Sequence, residues 1–200
     1  PRYRNPLGEY DASLPNNPHN PEYWKNLDEL AKICYIIDGC PCLVITEGLF
    51  KAIEGCSNEI PTISIPGVEQ GLTPSKNDPQ GKRFLVATLE KFARANFGFI
   101  LAFDSDSITN KNVCWAQLKL AHQLKKFDVP IYSVTGLWSQ EEGKGMDDYI
   151  QNNGADAFRT NVLAKAQKIE TWEKQFKDSL PANQKNQNPT IDVLGREIAE

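Results

Sequence analysis

Four short apolar runs, "CLVIT" at 42–46, "TISI" at 62–65, "FILAF" at 99–103 and "IYSV" at 131–134, are each separated by a stretch with helical spacing. Runs this short and this uniformly apolar read as strands buried on both faces. Their alternation with helices predicts βαβ crossovers and a mostly parallel four-stranded sheet flanked by helices. In such a sheet ligands bind beyond the carboxyl ends of the strands. The strand ends are therefore where chemistry is expected.

Around those strands the spacing predicts helices over 27–37, about 48–55, about 81–95, 111–127 and near 145–152, with a long helical stretch from 155 to about 179. In the first of these, Leu27, Leu30, Cys34 and Ile37 recur at helical spacing, and Gly39 and Pro41 end it. Residues 1–26 open with "PRYRNPLGEYDASLPNNPHNPE", whose five prolines make an irregular lead-in. The expected organisation is this lead-in, a catalytic domain over 27–154, a helical extension over 155–180, and a linker with the start of a further segment over 181–200.

The chain has 200 residues, 40% hydrophobic, and a net charge of -4. This suits a globular domain and excludes a generally basic surface that coats nucleic acid by charge alone. Five cysteines at 34, 40, 42, 56 and 114 have no metal-ligand spacing and read as reduced thiols of a cytoplasmic protein. No signal peptide or run long enough to span a membrane is evident, so no membrane partner is expected.

Three strand ends carry charge. "CLVIT" delivers Glu47-Gly48, "FILAF" runs into Asp104-Ser105-Asp106, and the loop after "IYSV" carries Lys144-Gly145-Met146-Asp147-Asp148 at the start of a helix. If the chain stays extended, Asp104 and Asp106 point to one side. Two like charges 4 Å apart repel by about 4 kcal/mol at an effective dielectric near 20, so such a cluster calls for a cation or a proton. Oxygen ligands without a nearby histidine suit Mg2+ or Mn2+. A lysine such as Lys144 beside them suits a phosphate oxygen. Taken singly, Asp-x-Asp is commonly a turn and cap, Asp147 an N-cap and Lys144 a solvated lysine. Their joint placement at successive strand ends favours a metal site.

These residues resemble the Toprim domain shared by bacterial primases, topoisomerases, small nucleases and recombination proteins. Its markers are Glu-Gly after the first strand and Asp-x-Asp after the third, here Glu47-Gly48 and Asp104-Ser105-Asp106. The pair Lys51-Ala52 and the late segment Lys144–Asp148 are similar to the Toprim-like domain of replication proteins from cyanobacterial plasmids and mobile elements, often joined to a helicase. "YRNPLG" at 3–8 and "SIPGV" at 64–68 also resemble that subfamily. Lys51 stands where many bacterial primases carry aspartate and type IA topoisomerases carry lysine. The glycine or acidic residue that often follows Asp-x-Asp is missing from "DSDSITNKN".

The resemblance implies a Toprim-like, Rossmann-like fold. Glu47, Asp104 and Asp106 are the implied ligands of one or two Mg2+ or Mn2+ ions, with Asp147 or Asp148 as a further ligand, and Glu47, Lys51 and Lys144 the implied catalytic groups. The implied partners are DNA, nucleoside triphosphates and a helicase domain in the same parent chain. Primer synthesis is the first expectation; a metal-dependent nickase or nuclease, or an idle docking module for nucleic acid or a helicase, is the alternative. A phosphoacceptor receiver domain also gathers acids at strand ends, but its acidic pair follows the first strand, where only Glu47 stands here.

For nucleic acid, Trp115, Lys119, His122 and Lys126 fall together on the predicted 111–127 helix, opposite a core face of Val113, Ala116, Leu120, Leu124 and Phe127. A tryptophan amid cations suits base stacking; an edge tryptophan covered by another segment fits the same pattern. Lys82 and Arg83, with Lys91 and Arg94, form a second candidate on the predicted 81–95 helix. His19 and His122 are too isolated to suggest catalysis.

Overall fold

A computed structural model describes residues 11–20, 22–75 and 78–181, with no side-chain placement for 74–82. The "YRNPLG" segment lies outside the described residues. The chain folds as a mixed α/β unit. Its elements are α1 (Leu27–Ile33), β1 (Tyr35–Ile37), β2 (Cys40–Glu47), α2 (Leu49–Ser57), β3 (Thr62–Ile65), β4 (Leu72–Ser75), β5 (Asp78–Leu85) and α3 (Ala87–Arg94). Then follow β6 (Gly98–Leu101), α4 (Lys111–Leu124), β7 (Ile131–Ser133), α5 (Met146–Asn153), α6 (Ala155–Ala157), β8 (Gln167–Lys168) and α7 (Ile169–Ser179).

The expected parallel strands are present. β3, β2, β6 and β7 pair in that order, all parallel, with registers such as Val44 to Thr62, Val44 to Ile100 and Ile100 to Tyr132. The sheet nevertheless has six strands rather than four, because β1 pairs antiparallel with β2 and β8 antiparallel with β7. Alternation along each central strand sends Leu43, Ile45, Phe99 and Leu101 into one core, and Cys42, Val44, Ile100 and Ala102 into the other. Both faces are thus covered, which is why these strands carry no polar stripe. Burying each Leu, Ile, Val or Phe among them contributes about 1.5–3 kcal/mol.

Several boundaries differ from the sequence expectation. The first helix stops at Ile33, where Cys34 turns extended with ψ 152°, and residues 35–37 become β1. Asp38 (φ 50°) and Gly39 (φ 78°) form the two-residue turn into β2, with Ile37 facing Cys40; both positions demand left-handed backbone, as Asp-Gly hairpin turns do. Residues 78–85 pair with β4 as a hairpin, so the helix expected from 81 begins only at Ala87.

The long helix expected over 155–179 is broken. α6 runs into a π-helical turn over Phe158–Val162 and a 3₁₀ turn over Leu163–Lys165, after which β8 joins the sheet edge and α7 turns back. Phe158, Val162 and Leu163 fill one core, and Ile169, Trp172 and Phe176 fill the other. This segment therefore packs against the same sheet as the rest. The lead-in is also engaged: Tyr23 and Trp24 are buried, Ser13 bridges Ser64, and the Asp11 carboxylate accepts from the Thr88 amide and hydroxyl at the start of α3. No helix among the described residues is long and apolar enough to cross a membrane.

Candidate functional site

Glu47 is the last residue of β2, and Gly48, with φ 94° and ψ 133°, turns the chain into α2. That conformation strains any residue with a Cβ, which accounts for glycine after the acid. One helical turn on, the ammonium of Lys51 pairs with Asp104 Oδ1, at the end of the chain leaving β6. Both side chains are about four-fifths buried. Beyond Asp104 the chain does not stay extended: Ser105–Thr109 form a 3₁₀ turn. Asp106 consequently reaches a different cation, Lys144, with Nζ 3.5 Å from Oδ2.

The third strand end is fastened to the second. The Ser105 amide donates to the Lys144 carbonyl at 2.8 Å, and the Ser105 hydroxyl donates to the Gly143 carbonyl at 3.1 Å. Trp138 Nε1 donates to the same Gly143 carbonyl at 3.0 Å. Gly143 has no room for a side chain, since a Cβ there would lie 2.5 Å from the Tyr149 amide nitrogen. Beneath this loop pair, Gln117 is fully buried on α4; its Nε2 donates to Ser133 Oγ at 3.0 Å and its Oε1 accepts from Thr135 Oγ1 at 2.7 Å. The Thr135 carbonyl in turn accepts from Trp172 Nε1 at 3.1 Å.

The electrostatics link the groups. Burial pushes the Glu47 carboxyl above its ordinary range; the ammonium of Lys51 pulls it back, the Asp104 carboxylate raises it and Lys144 lowers it. Burial likewise raises the Asp147 carboxyl, against the amide of Asp148, with Asp148 adding repulsion and Lys51 opposing it. Asp147 Oδ1 is out of solvent and has no hydrogen-bond partner. Asp148 serves the helix: its Oδ2 accepts from the amides of Lys144 and Gly145 at 3.2 and 3.4 Å, closing the first turn of α5.

Glu47, Asp104, Asp106 and Asp147 therefore gather with Lys51 and Lys144 at the carboxyl rim of the parallel strands. Their oxygens are the hard donors that Mg2+ or Mn2+ prefers, and the orphaned Asp147 oxygen and desolvated Glu47 mark an unbalanced excess of acid. Among the described residues, however, no three His, Cys, Asp or Glu side chains form a ready metal cage. Asp104 holds a lysine instead.

A family model described as a domain of unknown function, DUF3854, matches residues 35–157. The chain belongs to the DUF3854 family. The match runs from the first residue of β1 to the last of α6, taking in all three acidic strand ends. An uncharacterized protein of Picosynechococcus sp. is 31% identical over 137 residues, which is 66% of this chain but only 13% of that protein's length. Among solved structures, the zinc-binding and RNA polymerase domains of the Aquifex aeolicus primase resemble the chain with a TM-score of 0.44 and 18% identity, over 72% of this chain and 30% of that one.

The residues expected to meet nucleic acid in this DUF3854 protein stand on α4, the turn after it and β5. Trp115 is half-buried and meets Phe176 of α7 in a T-shaped arrangement, ring centroids 5.2 Å apart, with the Lys177 ammonium 5.9 Å from its ring centroid. Lys119 is half-buried with its ammonium out of solvent. His122, exposed, meets Glu173 of α7 at 3.2 Å, and Lys125, in the turn after α4, pairs with Glu170 of α7. Lys126, exposed, bonds Gln123. Lys82 and exposed Arg83 stand on β5, not on a helix. Sequence reasoning missed Ser105, Gly143 and Gln117. The glycines flanking Lys144 were the available signal for a close loop contact; nothing marked Gln117.

Proposed function

We propose that this chain is a Toprim-like catalytic domain of a plasmid or mobile-element replication protein, carrying out divalent-metal-dependent phosphodiester chemistry on DNA, with primer synthesis as the reaction. The observation that carries this reading is the convergence of Glu47, Lys51, Asp104, Asp106 and Lys144 from three successive strand ends onto one rim.

In this reading Glu47, Asp104 and Asp106 hold Mg2+ or Mn2+, and Asp147 completes the acidic wall. The ion would offset the charge of an incoming nucleoside triphosphate and polarise the phosphorus under attack. Lys144, about two-thirds exposed and 3.5 Å from Asp106, is the cation that would meet a phosphate oxygen. The alternative role for Glu47, whose carboxyl burial raises, is general acid or base instead of metal ligand. A template strand, and a helicase domain elsewhere in the longer parent protein, complete the proposal.

The pairing of Asp104 with Lys51 favours one other reading, an idle module that docks nucleic acid or a helicase. The two separate in a single assay of the chain with single-stranded DNA or supercoiled plasmid, labelled nucleotides and Mg2+ or Mn2+, beside Glu47→Gln and Asp104→Asn. Labelled oligomers lost in both variants establish primer synthesis. Nicked plasmid without incorporation replaces it with nuclease chemistry, and DNA binding without either product supports the docking module.

A further inference from the structure

Lys51 poses a problem for a site that is to hold a cation: its ammonium already occupies Asp104, and a divalent ion on the same carboxylate would repel it. An exit for the lysine lies beside it. A Cβ added to Gly145 would meet Asp147 Oδ1 at 2.4 Å and Lys51 Cε at 2.5 Å. The lysine stem and the Asp147 carboxylate thus meet over the bare α-carbon of Gly145. The oxygen that faces this meeting point is the buried one with no hydrogen-bond partner.

We propose that Lys51 is a counter-ion switch, its ammonium seated on Asp104 when no cation is bound and transferred to Asp147 Oδ1 when a divalent cation takes Asp104. The inference rests on the metal-site reading above and gives Asp147 a role distinct from direct ligation. The exchange needs only rotation of the Lys51 side chain, because its Cε and Asp147 Oδ1 both lie within 2.5 Å of the same point over Gly145. Gly145 keeps the path clear. In both states the ammonium has a carboxylate partner: Asp104 without the cation, and Asp147 once the cation takes Asp104. Lys51 is then a positioning residue that keeps the acidic rim from standing uncompensated between binding events.

The test is Mn2+ binding to the full chain by titration calorimetry, for the parent, Lys51→Met, Asp147→Asn, the double variant and Asp104→Asn, each checked for folding by circular dichroism without metal. Lys51→Met should bind Mn2+ about tenfold more tightly, because the competitor is gone, and Asp147→Asn about tenfold more weakly, because the lysine has lost its second seat. The double variant should match Lys51→Met, the Asp147 effect vanishing once there is no lysine to receive. An equal loss from Asp147→Asn in both backgrounds would make Asp147 a direct ligand and overturn the switch while leaving the site intact. Parent-like binding by Asp147→Asn would overturn it as well. If Mn2+ does not bind, or binds Asp104→Asn as it binds the parent, the metal-site reading itself fails and the switch falls with it.

Discussion

Lys51 and Asp104, 53 residues apart in the chain, form an ion pair with both side chains about four-fifths buried. Removing the lysine strands a carboxylate in a poorly solvated place. Lys51→Ala should cost about 1–3 kcal/mol of stability in EDTA, measured by urea unfolding, and Mn2+ should restore part of it. A fully additive loss in Lys51→Ala with Asp104→Asn would show that the two do not act as a pair.

Glu47 predicts a pH dependence. Its carboxyl is raised by burial, so the metal-free fold holds the protonated form more readily than the unfolded chain does. The stabilising contribution is then complete below the unfolded-state value and lost as pH rises through the folded one. In EDTA, Glu47→Gln should melt higher than the parent at pH 8 and no higher at pH 4. A constant difference across that range would contradict the assignment.

Gly143→Ala should cost about 1–3 kcal/mol, since its Cβ would press on the Tyr149 amide and the Asp148 carbonyl carbon. The same change should loosen the loop from Ser105, which hydrogen exchange at the Ser105 amide would report as faster opening.

Gln117→Leu leaves the Ser133 and Thr135 hydroxyls short of a partner in a fully buried position. A loss of about 2–3 kcal/mol is expected, and Thr135→Val in the same background should cost more still, because the buried Phe103 amide donates to the Thr135 hydroxyl. Thermal unfolding of the single and double variants checks both statements.

Ending the chain after Gly154 removes β8, Trp172 and Phe176, and exposes an edge of β7 that β8 covers. Such a fragment should aggregate rather than fold, as its yield and size-exclusion profile would show. A monodisperse, cooperatively melting fragment would make 155–180 dispensable.

The four parallel strands and the acids at their ends were legible in sequence because strands buried on both faces leave unbroken apolar runs, and their ends are where the apolar run meets charge. The hairpin at Asp38-Gly39 was legible too, but the helical spacing of Leu27, Leu30, Cys34 and Ile37 masked it. β8 is two residues, Gln167–Lys168, too short to carry any period, and exists because the β7 edge pairs with it. The amphipathic pattern of α4 could not show that α7 returns beside it, bringing Phe176 to half-buried Trp115 and Glu173 to the exposed His122. The lysine on Asp104 was invisible because pairing across 53 residues is a tertiary event.

The two hydrogen bonds from Ser105 to the carbonyls of Gly143 and Lys144 weld the second and third acidic strand ends into one jaw. Neither loop can swing toward a bound molecule without carrying the other. On the proposed reading, adaptation to a ligand at this rim falls to the long side chains of Lys51 and Lys144 rather than to the backbone.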